Sequence, residues 1–154
     1  MNGIKLSKHY TLYEARCKCG CKIEFQHIPK LKAQAERLEA LRADLNDDDL
    51  LIAERDMAGG EFRLIVLSWI RCPNHNEAEG GAKDSEHLPK NCTATDITCP
   101  ELPTEILYHK CKKYFNRAIL YRGRHFVHVD MKPDAPNKSK YWIKAPSPTV
   151  IPKA

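Results

Sequence analysis

The sequence predicts an α+β fold, a mostly antiparallel sheet flanked by helices, and three observations carry that expectation. A long apolar stripe at helical spacing follows residue 28, and short runs rich in apolar and β-branched residues recur after residue 61. The resulting order of helix, strand, loop, strand, helix and hairpin lacks the alternation of a parallel βαβ sheet. At 154 residues the chain is expected to form one domain, 1–154, with a real core. Its last part, from Pro133, is rich in proline.

Taken in order, Glu24 to His27 lead into Ile28-Pro29, a helix start with proline in the first turn. Leu31, Ala35, Leu38, Leu41 and Leu45 then form one apolar stripe, with Lys32, Glu36, Arg37 and Glu39 off it. Asn46-Asp47-Asp48-Asp49 ends the helix. Phe62 to Ser68, after Gly59-Gly60, reads as a buried strand. The polar stretch from Cys72-Pro73 to Asp84 is expected to be loop for much of its length. Thr93 to Thr98 alternates as a strand closed by Cys99-Pro100. Pro103-Thr104-Glu105 begins a second helix with Ile106, Leu107, Cys111 and Tyr114 toward the core. Arg117 to Tyr121 and Phe126 to Met131 form a hairpin through Arg122-Gly123-Arg124. Tyr141-Trp142-Ile143 is expected as a last edge strand, with a loose end beyond it.

Composition narrows the partners. The net charge of +5 is spread along the chain rather than gathered, so nucleic-acid binding is not indicated. No run is long and apolar enough for a membrane span, and the first residues carry no apolar signal region. A chain made in the cytoplasm without a signal peptide, and acting as a monomer, is the expectation. The seven cysteines are odd in number, which argues against a complete disulfide framework. Cys17-Lys18-Cys19-Gly20-Cys21 departs from the usual two-residue spacing of zinc thiolates and no second pair follows, so reduced, half-buried cysteines are expected there.

Three motifs carry chemistry: Ser85-Glu86-His87, Ala94-Thr95-Asp96-Ile97 and Phe126-Val127-His128-Val129-Asp130. They offer two imidazoles and one carboxylate, a set suited to a catalytic zinc with one position left open. Strand parity puts Phe126, His128 and Asp130 on one face and Val127, Val129 and Met131 on the other. Asp96 likewise lies opposite Thr95 and Ile97.

The run from Ser68-Trp69-Ile70-Arg71-Cys72-Pro73-Asn74-His75-Asn76 through Gly80-Gly81 to Ser85-Glu86-His87-Leu88 resembles the D-alanyl-D-alanine carboxypeptidase family of zinc peptidases. That family includes phage endolysins that cut L-alanyl-D-glutamate bonds, and it shares its fold with the Hedgehog signalling domain. Thr95-Asp96-Ile97 and Phe126 to Asp130 resemble its remaining motifs, so the likeness spans Tyr10 to Met131. It implies a Hedgehog/DD-peptidase-like fold, with His87, Asp96 and His128 as ligands of Zn2+. It also implies that Arg71 holds a substrate carboxylate or carbonyl oxygen.

Two departures stand out. His87 and Asp96 are nine positions apart where the family usually has seven, and Pro89-Lys90-Asn91-Cys92-Thr93 between them lacks glycine, which brings Cys92 near the metal. The position three before the last ligand, where the family places a catalytic carboxylate, is His125. His125, after a local bend, and Asp130, by strand parity, are the two candidate bases. The resemblance implies a peptidase acting on the peptidoglycan stem peptide, as carboxypeptidase or endopeptidase, and a phage or prophage lysis enzyme that reaches the wall after release. The alternative is a binding protein of the same fold that keeps its metal and has lost catalysis.

Overall fold

The computed structural model describes residues 3–133 and, for the backbone alone, 141–144. Five strands form one sheet in the order β1-β2-β4-β3-β5: β1 (Ile65–Ser68), β2 (Thr95–Thr98), β3 (Arg117–Tyr121), β4 (Phe126–Asp130) and β5 (Tyr141–Lys144). The first four pair antiparallel, and β5 adds to β3 in parallel. The α+β expectation therefore holds, with one parallel edge. The expected edge strand at Tyr141 is β5; the proline-rich stretch after it, like residues 134–140, lies outside the described residues.

The α-helices are α1 (Leu12–Ala15), α2 (Ile28–Asp47), α3 (Ile52–Met57), α4 (Pro73–Ala78) and α5 (Thr104–Cys111). Helix α2 has proline in its first turn and buries the stripe Leu31, Ala35, Leu38, Leu41 and Leu45 completely. Gln34 is buried on the same stripe, a polar residue that periodicity alone would not have chosen. Its Nε2 donates to Thr95 Oγ1 at 3.0 Å, so the helix is tied to the hidden face of β2. Helix α5 meets α2 through Lys110, whose ammonium lies 2.6 Å from both Asp44 and Asp48.

Leu107 and Cys111 of α5 are buried as expected, and Ile106 and Tyr114 pack half-buried against the core; Tyr108 is buried beside them, and the Tyr114 hydroxyl donates to Asp44 Oδ2 at 2.7 Å. One expectation about this layer needs correction. The stretch expected as loop from Cys72 begins as a helix instead, because Pro73 fits a first helical turn and the Cys72 sulfur accepts from the His75 backbone N–H.

The core lies between the helices and one sheet face, where Val127, Val129, Ile97, Ala118 and Leu120 are buried. The other face is left to carry polar groups. Core truncation should therefore be costly: Leu41→Ala, at a fully buried position, is expected to lose about 2–5 kcal/mol. Leu50→Ala, at a position 89% exposed, should change stability by less than about 0.5 kcal/mol. Urea unfolding of both variants measures this, and equal losses would contradict the placement of the core.

Candidate metal centre

Register builds the site. Asp96 on β2 stands directly opposite His128 on β4, Ile119 flanks His128 from β3, and Ser68 flanks Asp96 from β1. One row thus crosses the polar sheet face. His87 reaches it from the loop after α4, held by two backbone bonds: Arg71 N–H donates to His87 O at 2.9 Å, and Ala94 N–H donates to Glu86 O at 3.3 Å.

The three donor atoms converge. His87 Nε2 lies 3.2 Å from Asp96 Oδ1 and 3.3 Å from His128 Nδ1, and His128 Nδ1 lies 3.0 Å from Asp96 Oδ1. Ligands about 2.0–2.1 Å from a tetrahedral zinc are separated by about 3.3 Å, so the triangle has the right size.

The far side of each ring is also committed. His87 Nδ1 lies 2.6 Å from Trp69 O, and His128 Nε2 lies 2.6 Å from Asp130 Oδ2. With a metal at the inward nitrogens, each imidazole N–H would donate to that oxygen and leave the inward nitrogen its lone pair for the cation, the arrangement that partners behind the ring impose on metal-ligating histidines. Residues His87, Asp96 and His128 are all buried, as a small, pre-formed centre requires.

Arg71 lies beside this centre. Its Nη2 donates to Asp96 Oδ2 at 2.7 Å and its Nε to Ser68 Oγ at 3.0 Å, which turns the other carboxylate oxygen toward the histidines. Arg71 also lines an open cleft of about 760 Å³ together with His87, Asp96 and His128. Glu79 to Ala82 and Asp84 to Glu86 form one rim. Arg117, Ile119, Tyr121, Arg124, Phe126 and Lys132 line the rest with Leu67. The first rim is tightly built: Gly81 lies so close to the Asn76 side chain that a Cβ there would collide with it, and Asn76 Nδ2 donates to Ala82 O at 2.8 Å.

Both candidate bases are placed elsewhere. His125 has φ +54°, the left-handed bend at the end of the β3–β4 turn, but the bend takes it away from the cleft. It is exposed and lines a separate hollow with Pro100 to Glu105 and Leu120 to Gly123. Asp130 is on the expected face yet wholly buried, and both of its oxygens are in use. Oδ2 meets His128 Nε2 and accepts from Arg117 Nε at 2.7 Å, while Oδ1 accepts from Lys132 N–H at 3.0 Å. It stands behind His128, on the side opposite the converging donors. Cys92, in the loop between His87 and Asp96, takes φ +53° where that loop lacks a glycine; its thiol donates to Pro89 O at 2.8 Å, and it is not one of the three converging donors.

The charges are strongly coupled. Burial opposes the charged form of His128, but Asp130 and Asp96 outweigh it and raise the imidazole to about 9. Burial would raise Asp96, and the hydrogen bonds from His128 and His87 instead hold its carboxyl well below the usual range. Asp130 follows the same pattern, with burial opposed by His128 and Arg117. Around His128 stand His87 from its loop, Asp96 from β2, Arg117 from β3 and Asp130 from β4 itself. Because the folded value exceeds the unfolded one, the His128 contribution to stability in metal-free protein is complete below pH 6.5 and lost as pH rises through about 9. The two carboxylates act in the opposite sense, stabilising above about pH 4 and less as pH falls. A cation must displace the imidazole proton, so metal binding should weaken on acidification. Metal-stripped protein should therefore lose thermal stability across the His128 window, and His128→Gln should flatten that profile. A melting temperature that rises there would contradict the assignment.

A search of curated proteins returns no match to this chain. The family model described as Peptidase M15 matches residues 8–130. That span takes in His87, Asp96, His128, Arg71 and the four antiparallel strands that carry or flank them, and the chain belongs to the peptidase M15 family.

Proposed function

We propose that this peptidase is a zinc enzyme that cuts a peptide bond in the stem peptide of bacterial peptidoglycan. The observation that carries the reading is the convergence of His87 Nε2, Asp96 Oδ1 and His128 Nδ1, with both histidines oriented from behind. Zinc held there supplies Lewis acidity toward a peptide carbonyl and toward water.

The residues of the chain do the rest. Arg71 fixes Asp96 and presents an always-charged guanidinium at the cleft wall, suited to a substrate carboxylate or carbonyl oxygen. Arg124 and Lys132 add positive charge along the same wall, which favours the carboxylates of a wall peptide. Tyr121 and Phe126 stack with ring centroids 4.6 Å apart and give the cleft an apolar floor. The proton acceptor comes from the carboxylates that line this cleft beside Asp96, namely Glu79, Asp84 and Glu86. Glu86 is the buried one, and its Oε2 accepts from Thr93 Oγ1 at 2.6 Å. Resemblance to endolysins supports a monomeric phage or prophage lysis role, with the enzyme reaching the wall after release from the cytoplasm.

Two outcomes are expected. His87→Ala and His128→Ala should each lose zinc from this site together with hydrolysis of purified peptidoglycan, followed by mass spectrometry of the released fragments. Zinc retained at the site in both variants would sink the ligand set. Fragments shortened by a terminal D-alanine would mark a carboxypeptidase, and fragments cut within the stem an endopeptidase.

His125→Ala should leave turnover near that of the unmodified protein. One of Glu79→Gln, Asp84→Asn or Glu86→Gln should lower it by roughly 100-fold or more, the scale of lost general acid/base catalysis, with zinc still bound. Collapse in His125→Ala alone would reverse this choice. A zinc-loaded protein that leaves every wall substrate intact would favour the metal-retaining binding protein instead.

A further inference from the structure

The cysteines divide into two groups. Cys92, Cys99 and Cys111 are buried and separate, and burial pushes their thiols up, to about 11 for Cys92 and about 12 for Cys99. Cys17, Cys19 and Cys21 are instead joined by Cys72, 51 positions after Cys21 in sequence, and one sulfur from each lies within 4.8 Å of the others. The sequence offers no second pair downstream of reduced Cys17, Cys19 and Cys21, and the fold supplies a single distant cysteine.

We infer that Cys17, Cys19, Cys21 and Cys72 hold a second zinc ion, structural and distinct from the centre in the cleft. Cys19 Sγ lies 3.0 Å from Cys17 Sγ, 3.0 Å from Cys21 Sγ and 3.3 Å from Cys72 Sγ. One sulfur facing three others is not the pattern of a disulfide, which joins two at about 2.05 Å. It is the pattern of four ligands drawn round one point; zinc–sulfur bonds of about 2.3 Å give tetrahedral edges of about 3.8 Å. Four thiolates close the coordination shell and leave no place for water, which makes the site structural.

The backbone is arranged to support it. Gly20 takes φ +85°, and its N–H donates to Cys17 O at 3.0 Å, a tight turn that lets alternate residues 17, 19 and 21 face one point. Cys72 N–H donates to Cys17 Sγ at 3.3 Å and His75 N–H to Cys72 Sγ at 3.4 Å, donors that offset negative charge on sulfur. His75 Nδ1 lies 3.3 Å from Cys17 Sγ and can add a further N–H.

The position gives the ion a purpose. Ile70 N–H donates to Ala15 O at 3.2 Å, and Cys72 follows directly on Arg71, the residue that holds Asp96. An ion at the four sulfurs clamps the segment after α1 to the turn that carries Arg71. It would brace one wall of the cleft without touching a substrate.

Purified protein loaded with zinc should contain two ions per chain by elemental analysis. Cys19→Ser should bind one, and the double variant His87→Ala/His128→Ala should also bind one, each losing the ion the other keeps. Cobalt substitution separates the sites by colour. Unmodified protein and the histidine double variant should show a thiolate-to-cobalt charge-transfer band, and Cys19→Ser should not. If Cys19→Ser fails to fold, the band in the unmodified chain still decides. One ion per chain with no such band would overturn the inference, as would iron in place of zinc. So would a mass short of two hydrogens per cysteine pair in protein purified under reducing conditions. The thiolate-to-cobalt band reads the four sulfurs alone, so its absence would overturn this site and leave the ligand set of the cleft standing.

Discussion

The pairing of β2 with β4 is the constraint on which the rest depends. Asp96 meets His128 because Thr95 pairs with Val129 and Ile97 with Val127. A slip of one residue would send every side chain of one strand to the opposite face. The apolar residues beside the converging donors, Ile97, Val127 and Val129, are buried against the helices, so the hydrophobic effect that closes the core also fixes where the donors point. The candidate metal centre on one face of the sheet is held in place by the packing of the other.

Around that register the polar groups are almost fully accounted for. Arg117 holds Asp130, Asp130 holds His128, and His128 meets Asp96, which Arg71 and His87 also hold. Asp96 and Asp130 each have a guanidinium beside them, so removing one partner would strand a charge in a low-dielectric region. Such a network is costly to leave half-made, and a cation at the three inward atoms would complete it. The partly solvated cleft wall opposite, with its arginines, lysine and paired aromatic rings, is where a peptide has room to bind.

Much of this was legible in the chain. The stripe of α2, the four antiparallel strands and the faces of β2 and β4 all follow from periodicities of 3.6 and 2, and the motifs around His87, Asp96 and His128 marked the donors that converge. What periodicity left open depended on distance in sequence or on the end of a turn. Parity placed Asp130 on the ligand face but could not tell that Arg117, across the hairpin, would draw it behind His128. The bend needed at His125 exists, yet its direction is set by the turn geometry and not by residue type. Gln34 hid as a polar residue on an apolar stripe because its partner, Thr95, lies 61 positions away. Cys72 meets Cys17, Cys19 and Cys21 through the packing of α1 beside β1, a contact no local pattern announces. The one local signal was the run Cys-Lys-Cys-Gly-Cys itself, with a glycine where the turn requires a positive φ.

The account rests on which ring nitrogens face the ion, and diffraction from zinc-loaded crystals at energies on either side of the zinc absorption edge tests that most directly. An anomalous peak is predicted about 2.0–2.2 Å from His87 Nε2, Asp96 Oδ1 and His128 Nδ1, with Trp69 O and Asp130 still bonded to the outer nitrogens. A peak on His87 Nδ1 or His128 Nε2, or no peak among these three residues in fully loaded protein, would contradict it.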